Sequence, residues 1–386
     1  MVTVKSTRIL VNGNLGDEMK VCMISAGVPV NIGGVESFVN ELSNILASHG
    51  VNVTVIGRSD RDFVQKGKNK RIIGIRLNYY LPEVLHFPHY ADYVFQFNIW
   101  KKIPREHFDI IHGGNDNALL LLPGRKAPLV VTFHGTLAGA FKRFKHVSRL
   151  RPYQYFLSTY PEKIIAQRCD ISIACSYAVK NELTMFYGVN RNRVKVIHNG
   201  VNAAKFRVLN KATVKKKLRL PLKNKYGIWV GTDVRRKGLV TAIDAIRNLD
   251  GVKLIVVGVN GKSDEKIVYF GRVSEFKKIL LYNSADFFIF PTFYEGFPLA
   301  PLEALACGLP IIISEECPTK EIIHEGVHGF VVNERKPECY ADKIEVLLND
   351  NKRYQEMSYN CRKLAEKFSW ENQGKEYLKI YEKLVQ

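Results

Sequence analysis

Glu295 and Glu303 stand eight positions apart in FPTFYEGFPLAPLEALACGLP (Phe290 to Pro310), with Gly296-Phe297-Pro298 directly after the first. Two carboxylates this close can serve glycoside hydrolysis, one as acid and one as nucleophile. They can equally hold sugar hydroxyls, because a carboxylate accepts two hydrogen bonds from a vicinal diol. Their placement argues for the second use. Asp286 to Phe290 (DFFIF) predicts a short buried strand, being apolar, aromatic and β-branched. A helix is predicted from Leu299 to about Cys307, with Pro298 and Pro301 in its first turn and Gly308-Leu309-Pro310 ending it. Glu295 then lies in a loop and Glu303 about one turn inside the helix, so they address different parts of one ligand. Leu299 and Ala300 keep their N–H groups at the helix N-terminus, which favours phosphate. One hydroxyl pair at each carboxylate with a diphosphate between them outlines a nucleotide-sugar. A surface-loop glutamate followed by a helix-capping one fits the same residues.

The elements that must position such a site alternate strand and helix. Lys20 to Ser25 (KVCMIS) predicts a buried strand, Gly33-Gly34-Val35-Glu36 opens a helix that ends at Gly50, and Val51 to Ile56 is the next strand. This βαβ unit puts glycines where strand becomes helix, a place for phosphate or close ligand approach. Gly-Gly by itself is also an ordinary turn, and G-x-G-x-x-G is absent. Asp109 to His112 and Leu129 to Phe133 read as further parallel strands, the second running into His134-Gly135-Thr136. A lone histidine after a strand is commonly a satisfied structural residue. Residues 58–105 read as loops, basic residues and aromatics (Tyr79, Tyr80, Phe87, Tyr90, Tyr93, Phe95, Phe97, Trp100), most of them core or helix-packing, some lining an acceptor side. After a basic stretch at 205–225, Tyr226 to Val230 starts a second series of elements. It leads into Gly231-Thr232-Asp233-Val234-Arg235-Arg236-Lys237-Gly238 and a helix.

Glu295-Gly-Phe-Pro-Leu, three residues, then Glu303-Ala-Leu-Ala-Cys-Gly-Leu-Pro-Ile-Ile closely resembles the donor-site signature of family 4 retaining glycosyltransferases (glycosyl transferases group 1), enzymes of the GT-B fold. The resemblance extends through GRVSEFKKILLYNSADFFIFPTFYEGF before it and Gly326 to Val332 after it, and covers roughly 19–386, strongest in the C-terminal half. It implies an α/β architecture of two Rossmann-like, doubly wound parallel-sheet domains facing across a cleft, and a hexosyltransferase type of activity. The implied domains are an acceptor-side domain at 19–207, joined by a final helix at 370–386, and a nucleotide-sugar donor domain at 208–369, with 1–18 as an N-terminal extension. It implies transfer from a UDP- or GDP-sugar to a glycan or lipid-linked acceptor with retention, by front-side attack in which the leaving diphosphate helps take the acceptor proton. Catalytic roles fall to His134, Glu295 and Lys237. Donor binding falls to Gly33, Gly34, Thr232, Arg236, Lys237, Val273, Glu295, Gly296, Phe297, Leu299, Ala300 and Glu303. Glu303 would hold ribose hydroxyls, Glu295 sugar hydroxyls, and Lys237 with Arg236 the diphosphate. Thr232 departs from the family, which commonly has Arg there, so Arg236 is expected to compensate. No metal or cofactor is expected, in keeping with the lack of a D-x-D at the site.

The net charge of +20 asks for an anionic partner or surface. Between Asp116 and Glu162 no acidic residue occurs, while Lys142 to Arg151 interleaves cations with Phe141, Phe144 and Leu150 and leads into Tyr153, Tyr155 and Phe156. Such a segment suits an anionic membrane surface, with a solvated face or nucleic acid as the other readings. No nucleic-acid motif supports the last, and none is expected as a partner. No apolar run reaches the ~18 residues of a membrane span, and the N-terminus has no signal-peptide core. Seven scattered cysteines, never C-x-x-C, fit reduced buried thiols in a cytoplasmic protein that touches the membrane peripherally. A nucleotide-sugar epimerase of the same fold and a non-catalytic lipid or RNA binder are the competing classes.

Overall fold

The structure, a computed structural model, describes residues 18–28, 33–76, 90–102, 106–143 and 152–386. The expected extension lies outside these residues apart from Glu18, as do Tyr79, Tyr80, Phe87 and residues 144–151 of the basic aromatic segment. The chain divides into two compact units, residues 1–198 with 370–386, and residues 199–369. The division falls after His198 rather than after 207, because Asn199 to Phe206 bonds within the second unit. Asn199 Nδ2 donates to Phe297 O at 2.7 Å, and the Arg362 guanidinium donates to Ala203 O (3.0 Å) and Phe206 O (2.7 Å).

The first unit runs β1 (Lys20–Ser25), α1 (Gly34–Ser48), β2 (Asn52–Ser59), β3 (Phe63–Lys66), β4 (Lys70–Arg76), α2 (Tyr90–Lys102), β5 (Ile110–Gly114) and β6 (Leu129–Phe133). It continues with α3 (Leu137–Arg143), α4 (Pro152–Arg168), β7 (Ile171–Ala174), α5 (Tyr177–Tyr187) and β8 (Val194–Val196). Its sheet has the order β3-β4-β2-β1-β5-β6-β7-β8, parallel except for β3 on β4. The β3–β4 hairpin replaces loop expected within 58–105; Gly67 N–H closes its turn on Lys70 O at 2.7 Å. The expected aromatic cluster splits: Phe95 is buried on α2, while Phe97 and Trp100 are exposed and stacked at 5.8 Å. Strand order reverses between β1 and β5, and in such sheets ligands bind outside the carboxyl ends of the strands at that reversal.

The C-terminal helix, Trp370–Val385, belongs to this first unit. It buries Trp370, Gly374, Tyr377, Leu378 and Tyr381, one stripe at helical spacing. A Cβ at Gly374 would come 2.5 Å from Ile45 of α1, so the two helices meet backbone to side chain there. Tyr381 Oη lies 2.6 Å from His112 Nδ1, and His112 Nε2 lies 2.8 Å from Thr132 Oγ1. Burial, with His134 nearby, pushes the His112 pKa down to about 3, so the ring is neutral in this network.

The second unit runs α6 (Lys211–Lys217), β9 (Lys225–Val230), α7 (Leu239–Arg247), β10 (Val252–Val257), β11 (Ile267–Gly271), α8 (Glu275–Ser284) and β12 (Phe287–Phe290). Then follow α9 (Leu299–Ala306), β13 (Ile311–Ser314), β14 (Gly329–Val332), α10 (Pro337–Asn349) and α11 (Asn351–Lys367). The order is β11-β10-β9-β12-β13-β14, wholly parallel. Counted from β9 this is 3-2-1-4-5-6, the dinucleotide-domain order, with its reversal between β9 and β12. β12 is a continuous apolar run and β9 is apolar after its exposed Lys225, as parallel strands covered on two faces must be. The four side chains of β12 are fully buried, each contributing about 1.5–3 kcal/mol, so the strand ends at the reversal are firmly held. None of the seven cysteines forms a disulfide, and all but Cys339 are buried.

Candidate active site

At the reversal in the second unit, the β9–α7 loop is seated on the exit of β12. Gly238 has φ +66°, and a Cβ there would lie 2.0 Å from Pro291 O, so only glycine allows this approach. Trp229 Nε1 donates to Lys237 O at 2.9 Å, and Arg236 O accepts from Phe293 N (2.8 Å) and Thr292 Oγ1 (3.0 Å). These bonds bring together three residues singled out from the sequence. Glu295 Oε1 lies 2.7 Å from Arg236 Nη1 and 3.2 Å from Lys237 Nζ, with side chains 11%, 30% and 16% exposed. That oxygen is buried and has ion-pair distances without an aligned N–H, so the attraction is charge to charge. The Lys237 ammonium also sits 5.2 Å over the Phe290 ring, and its stem passes where Gly231 has no side chain.

Arg236 is more committed than expected. Its Nε donates to Asp233 Oδ2 (3.0 Å) and its Nη1 to Tyr294 O (2.9 Å), so it stitches the two loops and braces Glu295. Lys237 is the less engaged cation. Thr232 is exposed on the same loop.

Past Glu295, Gly296 and Phe297 are buried and Pro298 is the N-cap of α9 with extended backbone. No side chain caps this helix, and Leu299 and Ala300 are partly exposed at its first turn, where backbone N–H groups have no intrahelical partner. Glu303, one turn on, is held by α8: Lys278 Nζ lies 2.7 Å from Oε1, and Tyr282 Oη donates to Oε2 at 2.9 Å. Burial beside this carboxylate raises the Tyr282 phenol well above its ordinary pKa, so it remains a donor. Lys278 and Tyr282 were not singled out from the sequence; their i, i+4 spacing on one helix face is the signal that pairs them. Val273 is half-buried just before Ser274, the N-cap of α8.

In the first unit, Gly33 caps α1 with extended backbone, and a Cβ there would come 2.3 Å from Glu36 Oε2. Glu36, at the third helical position, thus lays its own carboxylate over the turn expected to receive phosphate. Gly34 faces open space, with no atom within 4 Å of a Cβ position. His134 follows β6. Its ring packs edge-on against Phe38 (4.5 Å between centroids), and Nε2 is buried with no hydrogen-bond partner among the described residues. Burial pushes its pKa down to about 4, so near neutral pH the imidazole is uncharged and that nitrogen is an unspent hydrogen-bonding group.

Among the described residues no three His, Cys, Asp or Glu side chains are grouped to hold a metal ion, and no helix is long and apolar enough to cross a membrane.

Two doubly wound α/β units, with a cation–carboxylate pair and an uncapped helix at one sheet reversal, define a class of α/β protein whose strand ends can hold an anionic ligand. Comparison with known proteins narrows it. Residues 32–205 match Glycosyltransferase Family 4, and residues 210–364 match Glycosyl transferases group 1. An uncharacterised glycosyltransferase of Methanocaldococcus jannaschii is 25% identical over 94% of this chain and 98% of its own. A UDP-Gal:alpha-D-GlcNAc-diphosphoundecaprenol alpha-1,3-galactosyltransferase of Escherichia coli is 26% identical over 69% of this chain and 72% of its own. The structure of a sucrose-phosphate synthase from Thermosynechococcus elongatus superposes with a TM-score of 0.82 at 21% identity, covering 95% of this chain and 99% of the other. The protein is a glycosyltransferase enzyme of the group 1, family 4 type with the GT-B fold.

Proposed function

We propose that the enzyme transfers a hexosyl group from a nucleoside-diphosphate sugar, UDP- or GDP-linked, to a glycan or lipid-linked acceptor, with retention and without a metal ion. The observation that carries this reading is the Lys237–Glu295 pair, held at the sheet reversal one short loop ahead of the uncapped N-terminus of α9. A nucleoside diphosphate needs cations and N–H donors for its phosphates and acceptors for its hydroxyls, and these residues supply both. In the proposed reaction the anomeric carbon–oxygen bond to the diphosphate breaks as a bond to the acceptor hydroxyl forms on the same face. The acceptor proton passes to the departing diphosphate.

Lys237 neutralises the charge growing on the leaving group, assisted by the α9 amides at Leu299 and Ala300. Arg236 adds positive charge while fixing Glu295, whose second oxygen takes sugar hydroxyls. Glu303 takes ribose hydroxyls, oriented by Lys278 and Tyr282. Gly296 and Phe297 shape the loop, Val273 and Thr232 border the donor, and on the first unit Gly34 leaves open space for close approach once the Glu36 carboxylate over Gly33 swings aside. His134 offers Nε2 to a substrate hydroxyl as a neutral group.

The E. coli relative acts, by its name, on a UDP-sugar and a lipid diphosphate acceptor, which supports both halves of the reading. Exposed Tyr155, Phe156 and Tyr160 on α4, with exposed Lys142 and Arg143 ending α3, support peripheral contact with an anionic membrane from the cytoplasmic side. Co-sedimentation with vesicles containing phosphatidylglycerol, and not with neutral ones, is the expected outcome.

A thermal-shift and calorimetric screen of UDP, GDP and their sugar conjugates tests the donor, on wild type and on Glu303→Ala. A base-selective stabilisation of about 2–3 kcal/mol at 100-fold over Kd is expected, lost in the variant. No shift with any nucleotide would overturn the reading. Excess EDTA is expected to leave transfer unchanged.

A further inference from the structure

The loop His134-Gly135-Thr136-Leu137 is tied by a hydrogen bond at every residue, and none of the ties uses the His134 ring. His134 N–H donates to Asn115 Oδ1 at 3.1 Å, and Asn115 Nδ2 donates to Gly135 O at 2.9 Å. Thr136 Oγ1 donates to Glu182 Oε2 at 2.8 Å, and Leu137 N–H donates to Glu162 Oε2 at 2.8 Å. Asn115 is itself held, because its Nδ2 also donates to Glu162 Oε1 at 2.5 Å and its N–H donates to Thr132 O at 2.9 Å. It is one of only two non-glycine residues with positive φ (46°) among the described residues. Such a conformation persists where the surroundings fix it, and it clusters at functional sites.

Glu162 is the hub. It is 1% exposed on α4, and its two oxygens accept from Asn115, Leu137 and the Tyr187 hydroxyl. All three partners donate to it, and an amide in its place would set an N–H against one of them. Burial raises its pKa to about 7, and those three hydrogen bonds oppose a further rise.

We infer that Asn115 and Glu162 are positioning residues for His134: the buried Glu162 carboxylate locks Asn115, and Asn115 locks the main chain that carries the imidazole. This deepens the proposed function and rests on it, since it requires His134 to act on substrate. Binding of the donor nucleotide to the second unit is not expected to depend on either residue.

The experiment is a mutant cycle on the full chain. Its rate is nucleoside-diphosphate release, without acceptor, from whichever of UDP-glucose, UDP-galactose, UDP-N-acetylglucosamine or GDP-mannose most stabilises the wild type. Glu162→Gln sets an amide N–H against a donor. Asn115→Gly removes the side-chain ties while tolerating the positive φ. Each is expected to lower kcat about 10- to 100-fold with donor KM within about twofold, the scale of a catalytic group displaced by roughly 1 Å. In a His134→Ala background the same substitutions should cost less than about threefold, because groups acting through one residue are not additive. A purely structural role would give the same loss in both backgrounds, and that result overturns the inference. So does wild-type kcat in a folded Asn115→Gly, which also decides the matter if Glu162→Gln does not fold. Full activity in His134→Ala, or no release from any of the four donors, would instead fail the underlying functional reading.

Discussion

Lys237→Met separates charge from packing at the site. Methionine keeps an unbranched apolar stem to lie along Gly231 and Phe290 and deletes only the ammonium. At about 4 Å from a phosphate oxygen, with an effective dielectric of about 20, a unit charge is worth about 4 kcal/mol, or about 10³-fold in kcat/KM. About half of this belongs to charge that develops only as the bond to the diphosphate breaks, so kcat itself should fall about 30-fold, with the rest lost in donor binding. Stability should fall moderately without unfolding the protein. Glu295 Oε1 keeps Arg236 Nη1 at 2.7 Å and is not left as an unpaired buried charge. The expected loss is about 1–2 kcal/mol, a drop in Tm of roughly 2–8 °C for a unit of this size. The assay is steady-state nucleoside-diphosphate release with the preferred donor, alongside a melting curve. A folded variant within about threefold of wild-type kcat/KM would refute the role. A variant that unfolds would show the ammonium to be structural.

Gly238→Ala should destabilise the second unit by about 1–2 kcal/mol from its left-handed backbone, with a further loss from overlap with Pro291 O at 2.0 Å. Wild-type melting and nucleotide binding in that variant would disprove the close seating of the two loops. For pH, His134 and His112 are held down to about 4 and about 3, whereas in the unfolded chain each takes a proton below about 6.5. Their contribution to stability is present above pH 6.5 and is lost as pH falls towards 4. Glu162, raised to about 7, runs the other way, its contribution being lost as pH rises from about 4.5 to 7. Two protons against one leave a net loss of about 1.4 kcal/mol per pH unit on going from pH 6 to 5. Denaturant unfolding at pH 7, 6 and 5 measures it, and equal or greater stability of the first unit at pH 5 would contradict the buried neutral rings.

The strands and helices were readable where local pattern decides them. Lys20–Ser25 and Leu129–Phe133 fall where their mainly apolar runs place them, and α9 starts after Pro298, whose ring fixes φ, and stops before Gly308, which adopts the left-handed φ of +70° that glycine tolerates. Glu295 and Glu303 were legible because the whole loop-and-helix signature lies within about twenty residues. The β3–β4 hairpin was not, since Phe63–Lys66 is four residues with one half-buried side chain and carries almost no periodic signal.

The sequence by itself determines the alternation of elements, the glycines at strand ends, and the cations and carboxylates available there, because these depend on neighbours a few positions apart. What each of those groups does depended on partners far along the chain. Arg236 is spent on Tyr294, 58 residues away, Glu303 is gripped by Lys278, and Asn115 meets Glu162 at a separation of 47. Glu36 covers Gly33 by folding back along its own helix, and His134, packed edge-on against Phe38, has a buried Nε2 without a hydrogen-bond partner among the described residues. Charge, hydrogen bonding and burial act over a few ångströms of space, and only the folded sheets set which residues share them.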